Sequence, residues 1–131
     1  MRKPFVVLTA ILLALPAPPS AALETHQKDA IERLAAPGDA PNAVASIMAR
    51  HYAILLWVED FCSGRSLETV RVYLLEKGGI DKDAFENGWM ETFEMLGKTD
   101  PKAMCGLAME QYGPQGAQIR GAWAPKEPSG R

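Results

Sequence analysis

Two cysteines, Cys62 and Cys105, are the residues of this 131-residue sequence whose chemistry is most informative. Such a pair can supply a reactive thiol, ligate a metal ion or form a disulfide bond. Their spacing excludes the redox motif Cys-x-x-Cys and the haem-attachment motif Cys-x-x-Cys-His, and the two histidines fit no standard zinc pattern. The choice among the alternatives depends on the compartment in which the protein works.

The N-terminus has the three parts of a secretory signal peptide. Arg2 and Lys3 precede an apolar run over residues 5–15, and a proline-rich stretch with small side chains follows. The apolar run has about half the length that a membrane-spanning helix requires, so no stable membrane anchor is expected after cleavage. We predict a signal peptide over residues 1–22, cleavage after Ala22, and a periplasmic or secreted protein.

An oxidising compartment favours pairing of two cysteines in a small domain. We therefore predict a disulfide bond between Cys62 and Cys105. On the chain-entropy model, closing a loop of this length restricts the unfolded chain by about 4 kcal/mol, which is comparable with the net stability of a small domain. The expected role of Cys105 is structural.

The other residues with potential chemistry are two histidines and several carboxylates. His51 falls on the apolar seam of a helix, where a packed and hydrogen-bonded histidine is the usual case, and His26 falls on an exposed helix. Glu59 and Asp60 follow His51 by two turns, about 12 Å along the helix axis, so they are too far away to share a metal ion with it. A further helix carries an acidic face that we interpret as solvated: Asp81, Asp83, Glu86, Glu91 and Glu94.

Motifs for common enzymatic chemistry are absent from the sequence. Phosphate loops, dinucleotide-binding glycines, Gly-x-Ser-x-Gly elbows and His-Glu-x-x-His helices do not occur. We predict no catalytic residue, no cofactor and no metal site. All 16 acidic residues follow residue 22, where 12 of the 14 basic residues remain, so the predicted mature chain has a formal charge of −4. Without clustered cations, nucleic acid and anionic membranes are not expected partners.

Hydrophobic periodicity predicts five helices. The first covers residues 23–36 and is mostly exposed, and the second covers residues 41–62 and lies at the centre of the core. A Pro-Gly break separates them, after which Asp39 or Asn42 can cap the second helix. Ser66 is the predicted N-cap of the third helix.

The fourth and fifth helices have clear start and stop signals. Asp81 is the predicted N-cap of the fourth helix, which ends at Gly97. Thr99 or Asp100 caps the fifth helix, because Pro101 suits the first helical position. These signals predict an all-α fold, a small bundle of four to five helices stapled by one disulfide.

We expect three parts in the chain. They are a signal peptide over residues 1–22, a helical, disulfide-stapled domain over residues 23–112, and an irregular C-terminal tail rich in glycine and proline over residues 113–131.

Three glycines have specific expected roles. Gly78 is available for a left-handed turn at the end of the third helix. Gly88 and Gly106 lie inside predicted helices, where each costs about 1 kcal/mol relative to alanine. We expect them to permit close approach between helices, the alternative being a break of the fourth helix at Gly88.

Three apolar residues are possible partner contacts. Trp123 on the tail either docks on the bundle, which we favour, or contacts a partner. Met90 and Met109, with Met95 and Met104, either fill the core, which we favour, or form an adaptable apolar surface.

Short sequence stretches resemble known families. The stretch WVEDFC places Glu59, Asp60 and Phe61 next to the first cysteine and, with the expected architecture, resembles the HdeA/HdeB-type periplasmic acid-stress chaperones, which carry this tripeptide after the cysteine. That resemblance implies a dimer or oligomer that loosens in acid and exposes apolar surface to unfolding clients. Residues 61–78 look like the helix that follows a cysteine in periplasmic immunity proteins against amidase toxins, and MCGLAMEQYGPQG is similar to uncharacterised exported proteobacterial proteins.

The expected function is that of a small exported protein without enzymatic activity. It would bind a protein partner or client, in a chaperone-like or stress role, with a homodimer possible. The alternative is a periplasmic immunity or inhibitor protein directed against a secreted toxin.

Overall fold

A computed structural model describes residues 22–125 of the chain. It contains five helices and two short strands, with these bounds: α1 (Thr25–Glu32), α2 (Pro41–Phe61), β1 (Gly64–Ser66), α3 (Glu68–Gly78), α4 (Lys82–Leu96), α5 (Pro101–Tyr112) and β2 (Trp123–Pro125). The predicted signal peptide, apart from Ala22, and the last six residues of the tail lie outside the described residues. No helix in the described range is long and apolar enough to cross a membrane.

The predicted all-α fold and its disulfide are confirmed. Helices dominate the structure, and the sulfur atoms of Cys62 and Cys105 are bonded across 43 residues of sequence. The two strands, each of three residues, were not expected, because segments this short carry no readable alternation of polar and apolar residues. They pair in antiparallel fashion, with Ser66 opposite Trp123.

Helix α2 is the centre of the core. It contacts α3, α4, α5 and β1, and its fully buried residues include Met48, Leu55 and Val58. A helix with apolar residues on several faces must be covered by neighbours on several sides. The disulfide at its C-terminal end fixes α2 to α5.

Two of the predicted helix caps are confirmed. The Asp81 carboxylate accepts a hydrogen bond from the Ala84 backbone N–H at 3.1 Å, and Asp100 accepts one from the Ala103 backbone N–H at 3.2 Å. Asp100, not Thr99, is therefore the cap of α5. These bonds satisfy backbone donors that a helix start leaves free.

The predicted caps of α2 and α3 are wrong. Ala40 is the N-cap of α2, and neither Asp39 nor Asn42 caps it. Asp39 instead accepts a bond from the Ala36 backbone N–H at 2.8 Å, within the turn that precedes the helix. The N-cap of α3 is Leu67, because Ser66 is buried in β1 and bonded to Glu59.

Of the three glycine predictions, one is confirmed and two are wrong. Helix α4 is unbroken at Gly88, where a Cβ would lie 3.2 Å from both the Ala49 Cβ and the Ser46 Cα, so the expected close approach of α4 and α2 is confirmed. The same expectation for Gly106 is wrong, since a Cβ there would meet nothing within 4 Å. Gly78 does not form a left-handed turn either. It lies against the Phe85 ring, which a Cβ would approach to 2.2 Å.

The segment after α5 packs back on the helices. Ile119 and Ala122 are fully buried, and Trp123 is 3% exposed. The backbone N–H of Leu67 donates to the Ala122 carbonyl oxygen at 2.8 Å, which continues the β1–β2 pairing. Residues 113–122 are irregular as expected, but the described part of the tail belongs to the core and is not detached from it.

Gly64 permits the docking of Trp123. The indole lies so close to β1 that a Cβ at position 64 would come within 2.2 Å of its ring atoms. Only glycine fits this approach. Of the two roles considered for Trp123, docking on the bundle is the one in the structure, so its ring is not available to a partner.

Candidate functional site

The C-terminal end of α2 carries an exposed aromatic ring on a rigid support. Phe61 is 60% exposed, and its ring stacks on the buried Trp57 with ring centroids 4.8 Å apart. The next residue, Cys62, is bonded to Cys105, whose Sγ lies 3.6 Å from the Phe61 carbonyl oxygen. A packed indole and a covalent bond therefore hold the ring in place while one face remains in solvent.

Two neighbouring carboxylates at this end have different roles. The Glu59 carboxylate accepts hydrogen bonds from the Ser66 backbone N–H at 2.9 Å and from the Ser66 hydroxyl at 2.7 Å, and it lies 3.8 Å from the Arg71 guanidinium. Asp60 is exposed and has no hydrogen-bond or ion-pair partner within residues 22–125. We call Asp60, Phe61 and the exposed Ser63, which border a shallow recess there, the Phe61 patch.

A larger cleft of about 560 Å³ lies between α1, α2, α4, α5 and the segment that follows α5. Its apolar wall is formed by Leu34, Ile47, Ile54, Met95, Leu96, Met104 and Leu107 together with two alanines. Its polar wall is formed by Arg33, which follows α1, by Arg50 and His51 on α2, and by Gln111 and Gln118. Among the residues that the structure describes, no aspartate or glutamate lines it. We call this feature the arginine cleft.

His51 links the arginine cleft to the core. Its Nδ1 lies 2.6 Å from the hydroxyl oxygen of Tyr112, which is fully buried. Within the described residues the hydroxyl proton has no other acceptor, so Tyr112 donates and the Nε2 atom of the neutral imidazole carries the proton. Burial and the nearby positive charge of Arg50 lower the pKa of His51 to about 4, and burial raises the pKa of Tyr112. The expectation of a packed, hydrogen-bonded histidine agrees with this geometry.

The residues considered as partner contacts do not come together at one place. Met90 is 56% exposed beside an acidic recess on α4, and Met109 is 37% exposed near the end of α5. Met95 and Met104 both line the arginine cleft, Met95 as an exposed side chain and Met104 as a buried one. A role for Met90 and Met109 in partner binding stays a prediction.

The described residues contain no group of three or more histidine, cysteine, aspartate or glutamate side chains arranged to hold a metal ion. His51 and Glu59 have separate partners, Tyr112 and Ser66. His26 forms a surface pair with Glu24, at 2.6 Å.

Sequence reasoning missed both the Phe61 patch and the arginine cleft. The sequence places Phe61 inside the predicted central helix, and no local signal indicates that its ring is exposed. Arg33 follows α1 and Arg50 lies on α2, so only the packing of the chain brings them to one cleft. The spacing of Ile47, Arg50 and Ile54 along one side of α2 is the single signal that pointed to a mixed apolar and cationic face.

Comparisons with known proteins identify no relative of this chain. No protein-family model matches the chain, and neither the curated proteins nor the solved structures contain a significant match. The fold and these sites define a small helical protein stapled by one disulfide.

Proposed function

We propose that this chain is an exported protein without enzymatic activity that binds one protein partner through the Phe61 patch. The observation that carries the proposal is the exposed phenylalanine ring, which rests on Trp57 next to the disulfide. Aromatic side chains are enriched among the residues that anchor protein interfaces, and a ring already held in position loses little freedom on binding.

The energetics of the patch suit a binding anchor. Burying a phenylalanine side chain contributes about 1.5–3 kcal/mol of transfer free energy. Because Trp57 already restricts the ring, binding would cost little side-chain entropy. Aromatic residues are enriched in interface cores for these reasons.

The negative charge of the patch indicates which kind of partner surface would fit it. Asp60 is exposed and unpaired in the described range, and the predicted mature chain has an excess of acidic residues. A partner that presents a basic side chain beside an apolar pocket complements Asp60 and Phe61. An inhibitor of a basic secreted toxin would meet this description, and so would another envelope protein.

Export is part of the proposal. The disulfide requires an oxidising environment to form and persist, and the first 22 residues have the pattern of a secretory signal. These two observations support a periplasmic or secreted location.

Affinity capture with matched variants tests the proposal. Phe61→Ser removes the anchor, and Ile80→Ser is the control because Ile80 is also 60% exposed but lies in the turn between α3 and α4. The tagged mature proteins are incubated with periplasmic extract of the source organism, and bound proteins are quantified by mass spectrometry. We expect one partner that is lost with Phe61→Ser, kept with Ile80→Ser and weakened by Asp60→Lys. Equal capture by the two serine variants would overturn the proposal.

A chaperone-like role in acid is a second candidate, favoured by His51. Its imidazole is partly buried beside Arg50 and bonded to Tyr112, so taking up a proton there disfavours the packed structure. Loosening of this contact in acid would expose apolar surface near α5. The test measures light scattering of an acid-sensitive client enzyme with and without the protein, at about pH 3 and pH 7. Suppression of aggregation only in acid supports this role, and no suppression contradicts it.

A further inference from the structure

We infer that the arginine cleft binds a small anionic amphiphile, a molecule with an aliphatic chain that ends in a carboxylate, sulfonate or phosphate group. This site is separate from the Phe61 patch, and the two proposals stand or fall independently.

The dimensions and walls of the cleft suit a small molecule. Its volume of about 560 Å³ falls within the range of about 300–1,000 Å³ that is usual for ligand pockets. Aliphatic and thioether side chains from α2, α4, α5 and the turn after α1 form its apolar wall, among them Leu34, Ile47 and Leu107. An aliphatic chain of the ligand would replace water against these walls.

The charges in the cleft indicate an anionic head group. Arg33, which follows α1, and Arg50 on α2 both line it, and within residues 22–125 neither guanidinium has a carboxylate within 4.0 Å. Both side chains are exposed, so their guanidinium groups are accessible to a head group at the cleft. A guanidinium binds a carboxylate, sulfonate or phosphate through two parallel hydrogen bonds.

Neutral donors complete the polar side of the cleft. Gln111 and Gln118 provide amide N–H groups, and the His51 imidazole provides the Nε2–H once Tyr112 donates to its Nδ1. Within residues 22–125 no carboxylate lines the cleft to repel an anion. Convergent polar donors beside an apolar wall suit an amphipathic ligand.

Calorimetric titration with 1-octanesulfonate tests this inference, because that probe joins an aliphatic chain to a head group that stays ionised. Ethanesulfonate has the head group without the chain, and octyl glucoside has the chain without the charge. We expect measurable binding of octanesulfonate and at least about tenfold weaker binding of each comparison compound, since both halves of the site are needed.

Variants assign the binding to the cleft. Arg33→Gln and Arg50→Gln should each weaken octanesulfonate binding about tenfold, which is the loss of one charge-assisted hydrogen-bonded contact. Arg65→Gln is the matched control because Arg65 is exposed on β1 and does not line the cleft. Circular dichroism and a thermal unfolding curve verify that each variant is folded.

Several outcomes would overturn the inference. The first is equal binding of octanesulfonate and octyl glucoside. The second is a loss of octanesulfonate binding in Arg65→Gln as large as the loss in the two cleft variants. The third is displacement of octanesulfonate by the captured partner protein, which would make the cleft part of the protein interface. Loss of octanesulfonate binding in Phe61→Ser would contradict the independence of the two sites. Octanesulfonate binding that persists in Phe61→Ser supports the independence of the two sites.

Discussion

Replacing His51 should reduce the acid sensitivity of the fold. The fold lowers the pKa of His51 from 6.5 to about 4, because the imidazole is partly buried and lies near Arg50. The unfolded chain therefore takes up a proton at higher pH than the folded protein does. The stability that this group contributes is fully present above about pH 6.5 and is lost as the pH falls towards about 4.

The size of the effect follows from the two pKa values. A pKa difference of one unit corresponds to about 1.4 kcal/mol, so the shift from 6.5 to about 4 gives a loss of about 3 kcal/mol. This is a large part of the net stability of a small domain, about 5–15 kcal/mol. The charge of Arg50 is already part of this shift, and Tyr112, the hydrogen-bond partner of His51, is neutral.

Urea unfolding of wild type and His51→Asn at several pH values measures this loss. Asparagine places an amide oxygen near the position of Nδ1, so Tyr112 keeps an acceptor, but the side chain does not titrate. Between about pH 7 and pH 4, the free energy of unfolding of the wild type should fall by about 3 kcal/mol more than that of the variant. His26→Asn is the matched control, since His26 pairs with Glu24 at the surface and does not line the cleft.

The comparison also removes the contribution of the carboxylates, which are the same in both proteins. If wild type and His51→Asn lose the same stability over this interval, the fold does not hold His51 neutral. The proposed acid-triggered role would then lose its structural basis.

Three further changes test the packing. Replacing both Cys62 and Cys105 by serine should lower the free energy of unfolding by about 4 kcal/mol, measured in urea against the oxidised wild type; a loss below about 1 kcal/mol would contradict the entropy argument. Gly88→Ala should destabilise the protein by about 1 kcal/mol, because crowding against α2 exceeds the gain in helix propensity, whereas Gly106→Ala should stabilise it by about 1 kcal/mol; equal melting temperatures for the two variants would refute this contrast. Trp123→Ala should cost about 3–5 kcal/mol in the same denaturation assay, and an unchanged midpoint would show that the docked tail adds nothing to the core.

The helices could be predicted because their signals are local. Asp81 and Asp100 cap the helices that follow them through bonds to residues three positions away, and such contacts need no knowledge of the rest of the fold. The disulfide was predictable for another reason: two cysteines allow a single pairing, and the predicted export favours its formation.

The remaining features depend on contacts between distant parts of the chain. Ser66 is a good cap by residue type, but the Glu59 carboxylate and the pairing with Trp123 place it in a strand instead. Gly88 and Gly106 look alike in sequence, and only the position of α2 decides which of them is crowded. The exposure of Phe61 is likewise decided by tertiary packing.

Photo-crosslinking from position 61 tests the central proposal most directly. A photoreactive phenylalanine analogue is placed at Phe61 or at the equally exposed Ile80, and the protein is irradiated in living cells of the source organism. The account predicts one discrete crosslinked species from position 61, with a partner identifiable by mass spectrometry, and none from position 80. No crosslinked species from position 61, or the same set of species from both positions, would contradict it.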